Sequence, residues 1–339
     1  MKNLKKMMGV TVLMLVCGCV KNTAPEGAAD NAVNESGSIV VSVKNEMFPV
    51  RSLAEYQSAK SCESAVYNVD VLVFDSVSKR LERSATTSSL EEKCSFELST
   101  GNKLVYAVVN GPDMGSVRSL DQMMTLTEDL SLRDYLLDGF VMIGYEPCVV
   151  ACGAVCKPEI IVKRLVSRVE LRSIKCNVPR QYESMKVECV YLGNAYSVQS
   201  LSGAVSVEVN GGGYADKDKQ QPIGLGGVKG ACDMFMYREP GAVIKVGEVL
   251  SDPIYMYCQP DAGKAMTCLY ILAQIGDGKY YYRVPLNKGL LSNTTCVVDV
   301  VITNPGAPEP PDGDMQKGEI QAVVKVMDWL TGDEYHAEF

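Results

Sequence analysis

Gly318–Leu330, GEIQAVVKVMDWL, decides how this chain is read. Ile320, Ala322, Val324 and Val326 fall on one face of an extended strand, and Gln321, Val323, Lys325, Met327 and Trp329 on the other. The run before it, NPGAPEPPDGDMQKG from Asn304, is too rich in proline, glycine and acid to build a core, and reads as a semi-rigid spacer. An apolar strand isolated on a spacer needs a slot to fill. That slot lies either in its own molecule or in the next copy of the chain, and the second arrangement makes a polymer.

Upstream, the same period-two pattern recurs. Ser38–Val43 places Ile39, Val41 and Val43 on one face. Tyr67–Asp75 (YNVDVLVFD) is apolar on both faces, as a central strand is. Leu104–Asn110 and Phe140–Cys156 follow as strands, then Ile161–Cys176, Met185–Tyr196, Tyr255–Asp261 and Thr295–Thr303. Thr267–Ile275 and Lys279–Leu286 face each other across Gly276-Asp277-Gly278, where Asp-Gly supplies a tight turn. Helix is expected only between Ser116 and Asp138, where Ser119 and Gln122 form a capping box and a second turn covers Ser131–Leu137. Gly211–Gly227 reads as an exposed polar loop. Many short strands with one small helical insertion imply two β-sandwich domains, here 38–156 and 157–304, followed by a spacer and strand over 305–339.

The N-terminus reads as an address. Lys2, Lys5 and Lys6 precede a short apolar run, Met7–Val16, and Gly18-Cys19 has the form of a lipobox. Cleavage after residue 18 leaves Cys19 as the acylated first residue, with 19–37 as a tether. The formal charge of −8 becomes −11 once the three lysines leave, which argues against nucleic acid as a partner; the membrane is met only through the lipid.

No active site is legible. The one histidine, His336, lies in the terminal tail, and no carboxylate pair suits acid–base work. No cofactor or metal is expected. Cys148, Cys152 and Cys156 are spaced four apart, about 13 Å on a strand, too far for one metal. Most of the eleven cysteines other than Cys17 and Cys19 sit among β-branched residues, as buried free thiols do, with one or more disulfides as the alternative open to an exported chain. Tyr280–Tyr282 reads as packed rings with wet hydroxyls, or alternatively as a sugar-binding face.

Taken in order, Cys19, Ser38–Val43, Val69-x-Val71-Leu-Val-Phe-Asp75, Val105–Asn110, Phe140-Val-Met-Ile-Gly144, Arg164-Leu-Val-Ser-Arg-Val-Glu-Leu171 and Val324-x-Val326-x-x-Trp329 resemble the fimbrillins, the major-subunit lipoproteins of type V pili. The resemblance implies two transthyretin-like β-sandwich domains and a C-terminal donor strand. It implies a subunit that reaches the outer membrane as a lipoprotein. A trypsin-like protease then cuts behind the first strand, at Arg51 here, with Lys44 the nearest competitor. The groove left by Ile39, Val41 and Val43 is refilled by Ile320, Ala322, Val324, Val326 and Trp329 of another subunit. The partners so implied are copies of the chain or related pilus subunits, the protease, and a host or bacterial surface ligand. Two other readings stand beside it: an anchor that keeps its lipid and first strand, and a carbohydrate-binding surface lipoprotein.

Overall fold

Period-two alternation becomes strand along most of the chain in the computed structural model. The structure describes residues 36–45, 63, 65–130, 132, 138–204, 235–261, 267–286, 290–309 and 320–328. Cys19, Arg51 and Trp329, the loop from Gly211 and nearly all of the second helical turn lie outside them.

The first half of the chain supplies β1 (Ser36–Asn45), β2 (Val69–Asp75), β3 (Leu81–Thr87), β4 (Cys94–Ser99) and β5 (Gly101–Val109), then α1 (Leu120–Thr125), β6 (Thr127–Asp129), β7 (Met142–Val150), β8 (Val155–Cys156) and β9 (Glu159–Arg164). Eight of these strands make one sheet in the order β3-β2-β5-β7-β9-β1-β4, with β8 also on β1. Val69, Val71 and Val73 share a core with Ile39, Val41, Val43, Ile160 and Val162, so the sheet curls until distant strands meet. Leu72 and Phe74, on the other face of β2, pack with Tyr106, Val108 and the α1 residues Leu120 and Met123. That is why β2 is apolar on both faces: each face has its own core.

The second half supplies β10 (Ser167–Cys176), β11 (Ser184–Gly193), β12 (Val198–Ser200), β13 (Phe235–Arg238), β14 (Ala242–Lys245), β15 (Val249–Leu250), β16 (Ile254–Cys258), β17 (Cys268–Ile275), β18 (Gly278–Pro285), β19 (Thr294–Ile302) and β20 (Ile320–Asp328). One sheet runs β15-β10-β19-β20 with β16 on β10; a second runs β13-β11-β17-β18 with β14 on β11. Val169, Leu171, Val298 and Val300 of the first share one core with Val187, Val190, Leu269 and Ile271 of the second. This is a sandwich, closed by apolar inner faces. The chain passes between the two sheet systems at Leu165–Val166. β9 pairs with β1 and β7, and β10 with β16 and β19.

Several local expectations change. Ser119 caps α1 through the Gln122 N–H, but the Gln122 side chain accepts from Arg118 N–H, and the helix stops after six residues as β6 begins. The hairpin turn is Gly276-Asp277, with Ile275 opposite Gly278, and the positive φ of +58° belongs to Gly276. β3 and β4, mostly polar and half exposed, give no apolar period to find. The segment with Cys148, Cys152 and Cys156 is a hairpin-like tongue, not one extended strand, because the chain reverses between Val150 and Val155.

Gly144, in the Phe140–Gly144 motif, has no room for a side chain: an added Cβ would lie 2.2 Å from the Ile161 carbonyl oxygen. Gly144→Val is expected to cost about 1–3 kcal/mol through backbone displacement, read as a lower urea midpoint; an unchanged midpoint contradicts this packing. Asp75 ends β2 by accepting from Val77 N–H, Ser78 N–H and the Ser78 hydroxyl at 3.1, 2.8 and 2.9 Å. These bonds, Ser78 first, hold its carboxyl at about 2, below the ordinary 3.8. The turn's contribution is therefore complete above pH 3.8 and lost as pH falls through about 2. A carboxyl-carbon NMR titration should show that low midpoint, whereas one near 3.8 refutes the turn geometry.

Candidate functional site: the first and last strands

β1 lies inside its sheet. Along one edge it pairs antiparallel with β4, from Ser36↔Ser99 to Val41↔Cys94. Along the other it pairs parallel with β8 at Ser38 and Ile39, then with β9 from Ser42 to Asn45. Ile39, Val41 and Val43 are the buried side chains, as their spacing predicts, and each is at most 4% exposed. Gly37 is tight against the tongue, where a Cβ would lie 2.3 Å from the Ala151 carbonyl oxygen. An ion pair on the strand, Lys44 Nζ to Glu159 at 2.7 Å, is half exposed and worth little.

The chain re-enters the described structure at Glu63, and it does so in the interior. The Glu63 carboxylate accepts from Arg168 Nη1 at 3.0 Å and from the Tyr257 hydroxyl at 2.7 Å. Its backbone oxygen accepts from Arg164 Nε at 2.6 Å. Arg164 Nη1 also reaches Asn293 at 3.2 Å, and Arg168 Nε reaches the Thr295 hydroxyl at 3.1 Å. Arg168 lies over the Tyr255 ring at 5.3 Å and near Glu170 at 3.6 Å. Burial raises the Glu170 carboxyl, against the pull of Arg168 and Arg172. Both arginines belong to the Arg164–Leu171 motif, but nothing in the sequence marked Glu63, one of many acids, as their partner. A pair of arginines inside apolar strands was the available signal, since a buried cation requires a counter-charge.

β20 is the last strand in its sheet order. It pairs antiparallel with β19 in unbroken register, from Thr294↔Asp328 to Ile302↔Ile320. Ile320, Ala322 and Val324 pack on the second-half core, while Val323 is 48% exposed. The slot for this strand is thus in its own molecule here. Val326 stands opposite Cys296 in the register. The spacer begins docked: the Tyr282 hydroxyl donates to Asn304 O at 2.7 Å and accepts from Gly306 N–H at 3.1 Å. Tyr281 and Ala307 exchange two backbone bonds at 2.7 and 3.1 Å. Tyr282 is buried and Tyr280 and Tyr281 half-buried, so this run holds the spacer.

Solved structures superpose on this fold. A proposed cell-adhesion protein from Parabacteroides distasonis ATCC 8503 superposes with a TM-score of 0.63 at 13% identity, over 88% of this chain and 99% of that one. Another from Bacteroides eggerthii DSM 20697 gives 0.60 at 14%, over 89% and 98%. A fimbrilin from Porphyromonas gingivalis W83 gives 0.60 at 13%, over 86% and 97%. The chain has the fimbrillin fold. By sequence, no protein-family model and no curated protein matches it.

Arg168→Met strands the Glu63 carboxylate in the interior and is expected to cost about 3–5 kcal/mol in chemical denaturation. Adding Glu63→Gln should recover part of that loss; a double variant weaker than the single by the full cost of a second deletion argues against a coupled pair.

Proposed function

We propose that this chain is a pilus subunit. It is exported to the cell surface as a lipoprotein acylated at Cys19, cut after Arg51 by a trypsin-like protease, and joined to its neighbours by strand exchange through β20. The carrying observation is the contrast at the two ends of residues 46–62. β1 enters them as an apolar strand held by its pairing with β4, β8 and β9, and Glu63 leaves them in the buried arginine network. A cut at Arg51 then frees β1 together with its lipid and leaves the remaining chain clamped a short way downstream.

Loss of β1 uncovers the core packed against Ile39, Val41 and Val43 and leaves the facing backbone edges of β4, β8 and β9 unpaired. Ile39, Val41 and Val43 each account for about 1.5–3 kcal/mol of burial, so the vacated groove favours any strand with a matching apolar face. β20 carries one, in Ile320, Ala322 and Val324. Because β20 already fills a slot on β19, donation exchanges one set of contacts for a similar set, and the net gain is small. Direction comes from the irreversible departure of β1, and persistence from a groove that does not reopen.

Low-dose trypsin on the purified full chain should yield a new N-terminus at Ser52 and a ladder of high-mass species in electrophoresis. Arg51→Ala should abolish both. Deletion of residues 320–339 should abolish the ladder and keep the cut. Filaments formed normally by the truncated chain would overturn strand donation. An intact acylated Cys19 in surface-derived filaments would instead assign the anchor role.

A further inference from the structure

The tongue between β7 and β8 brings two cysteines together. Its turn is closed by Ala154 N–H to Ala151 O at 3.1 Å, with Gly153 at φ +68°. In register, Cys148 stands opposite Lys103 on β5, and Cys156 opposite the buried Ile39 on β1. Both side chains therefore point inward, half-buried against the first-half core. The reversal lays β8 back beside β7 on that core, with Cys156 near enough to Cys148 to oppose its ionisation. Cys152 is exposed on the tongue. The tongue also grips β1: Gly153 N–H donates to Ser36 O, and Ser38 N–H to Ala154 O, both at 3.0 Å.

We propose that Cys148 and Cys156 are a disulfide-forming pair, and that the bond locks the tongue onto the first strand. The oxidant is a disulfide, from a protein or a small molecule. One thiolate of the pair attacks it, releasing one thiolate and leaving a mixed disulfide. The second thiol of the pair then displaces the other half. Two S–H bonds are lost and one S–S bond is formed; the oxidant's S–S bond is reduced to two thiols, which take up both protons. Burial, with Cys156 beside it, pushes the Cys148 thiol up to about 12, so formation should quicken as pH rises. An exported protein meets compartments where such bonds persist. The bond itself does not depend on the pilus reading. Only the reason for holding β1 until the cut does.

The test uses the purified full chain, treated with oxidised glutathione or with dithiothreitol. Peptide mapping by mass spectrometry should find a Cys148–Cys156 bond in the oxidised wild type and in Cys152→Ser. Amide exchange over Ser36–Asn45 should slow by about tenfold on oxidation, the effect of a modest local stabilisation. The Cys148→Ser chain should show neither change. Glutathione adducts alone, or a bond to Cys152, would overturn the pairing. A mapped Cys148–Cys156 bond with unchanged exchange in β1 would overturn the lock. Failure of trypsin to produce high-mass ladders would leave both results standing and strike only the assembly reading.

Discussion

A strand inside a sheet must have both edges paired, because a buried N–H or carbonyl without a partner costs as much as a lost hydrogen bond. β1 meets that demand with β4 along one edge and with β8 and β9 in succession along the other. Most of the first-half architecture follows. The sheet curls so that the Ile39, Val41 and Val43 face meets Val69, Val71 and Val73 across one core. Gly37 admits the tongue, and the tongue reverses through Gly153 so that β8 can reach β1 before β9 takes over. A strand so placed cannot leave without exposing an apolar face and two rows of backbone groups.

β20 obeys the opposite rule. As the end strand of its sheet among the described residues it has one paired edge, with β19, and its outward residue Val323 is about half exposed. Unzipping an edge strand breaks one ladder, whereas extracting an interior strand breaks two. The two strands share a face chemistry of alternating aliphatics but differ in the work needed to remove them. Under the assembly proposed above, that difference suits one to leave only after a covalent cut and the other to exchange.

Between these strands stands the ion network of Glu63, Arg164 and Arg168. Charges inside a protein are costly, and hydrogen bonds on every side offset the cost. Tyr257, Thr295 and Asn293 provide them from three strands or loops of the second half. The network ties a residue of the early chain to β10, so the two sheet systems are joined by more than the Leu165–Val166 crossover. Arg164 and Arg168 are visible in the sequence as cations in an apolar strand. Their partner lies about a hundred positions away, beyond the reach of local pattern.

Local periodicity determined what period-two patterning can determine: that β1, β2, β5, β17 and β20 are strands, that β2 is apolar on both faces, and that an early and a late strand carry similar apolar faces. It could not find β3 and β4, whose faces are mostly polar and whose strand state comes from pairing with β2 and β1. It treated Cys148–Cys156 as one extended run, because a reversal at Gly153 leaves the valine-rich composition unchanged. Whether β20 fills a slot at home was equally undecidable from the chain alone, since any vacant edge satisfies the same alternation. Only the tertiary structure decided it: the edge of β19 is the one that meets every residue of β20 in unbroken antiparallel register, and register between distant segments is a property of the folded sheet, absent from either strand by itself.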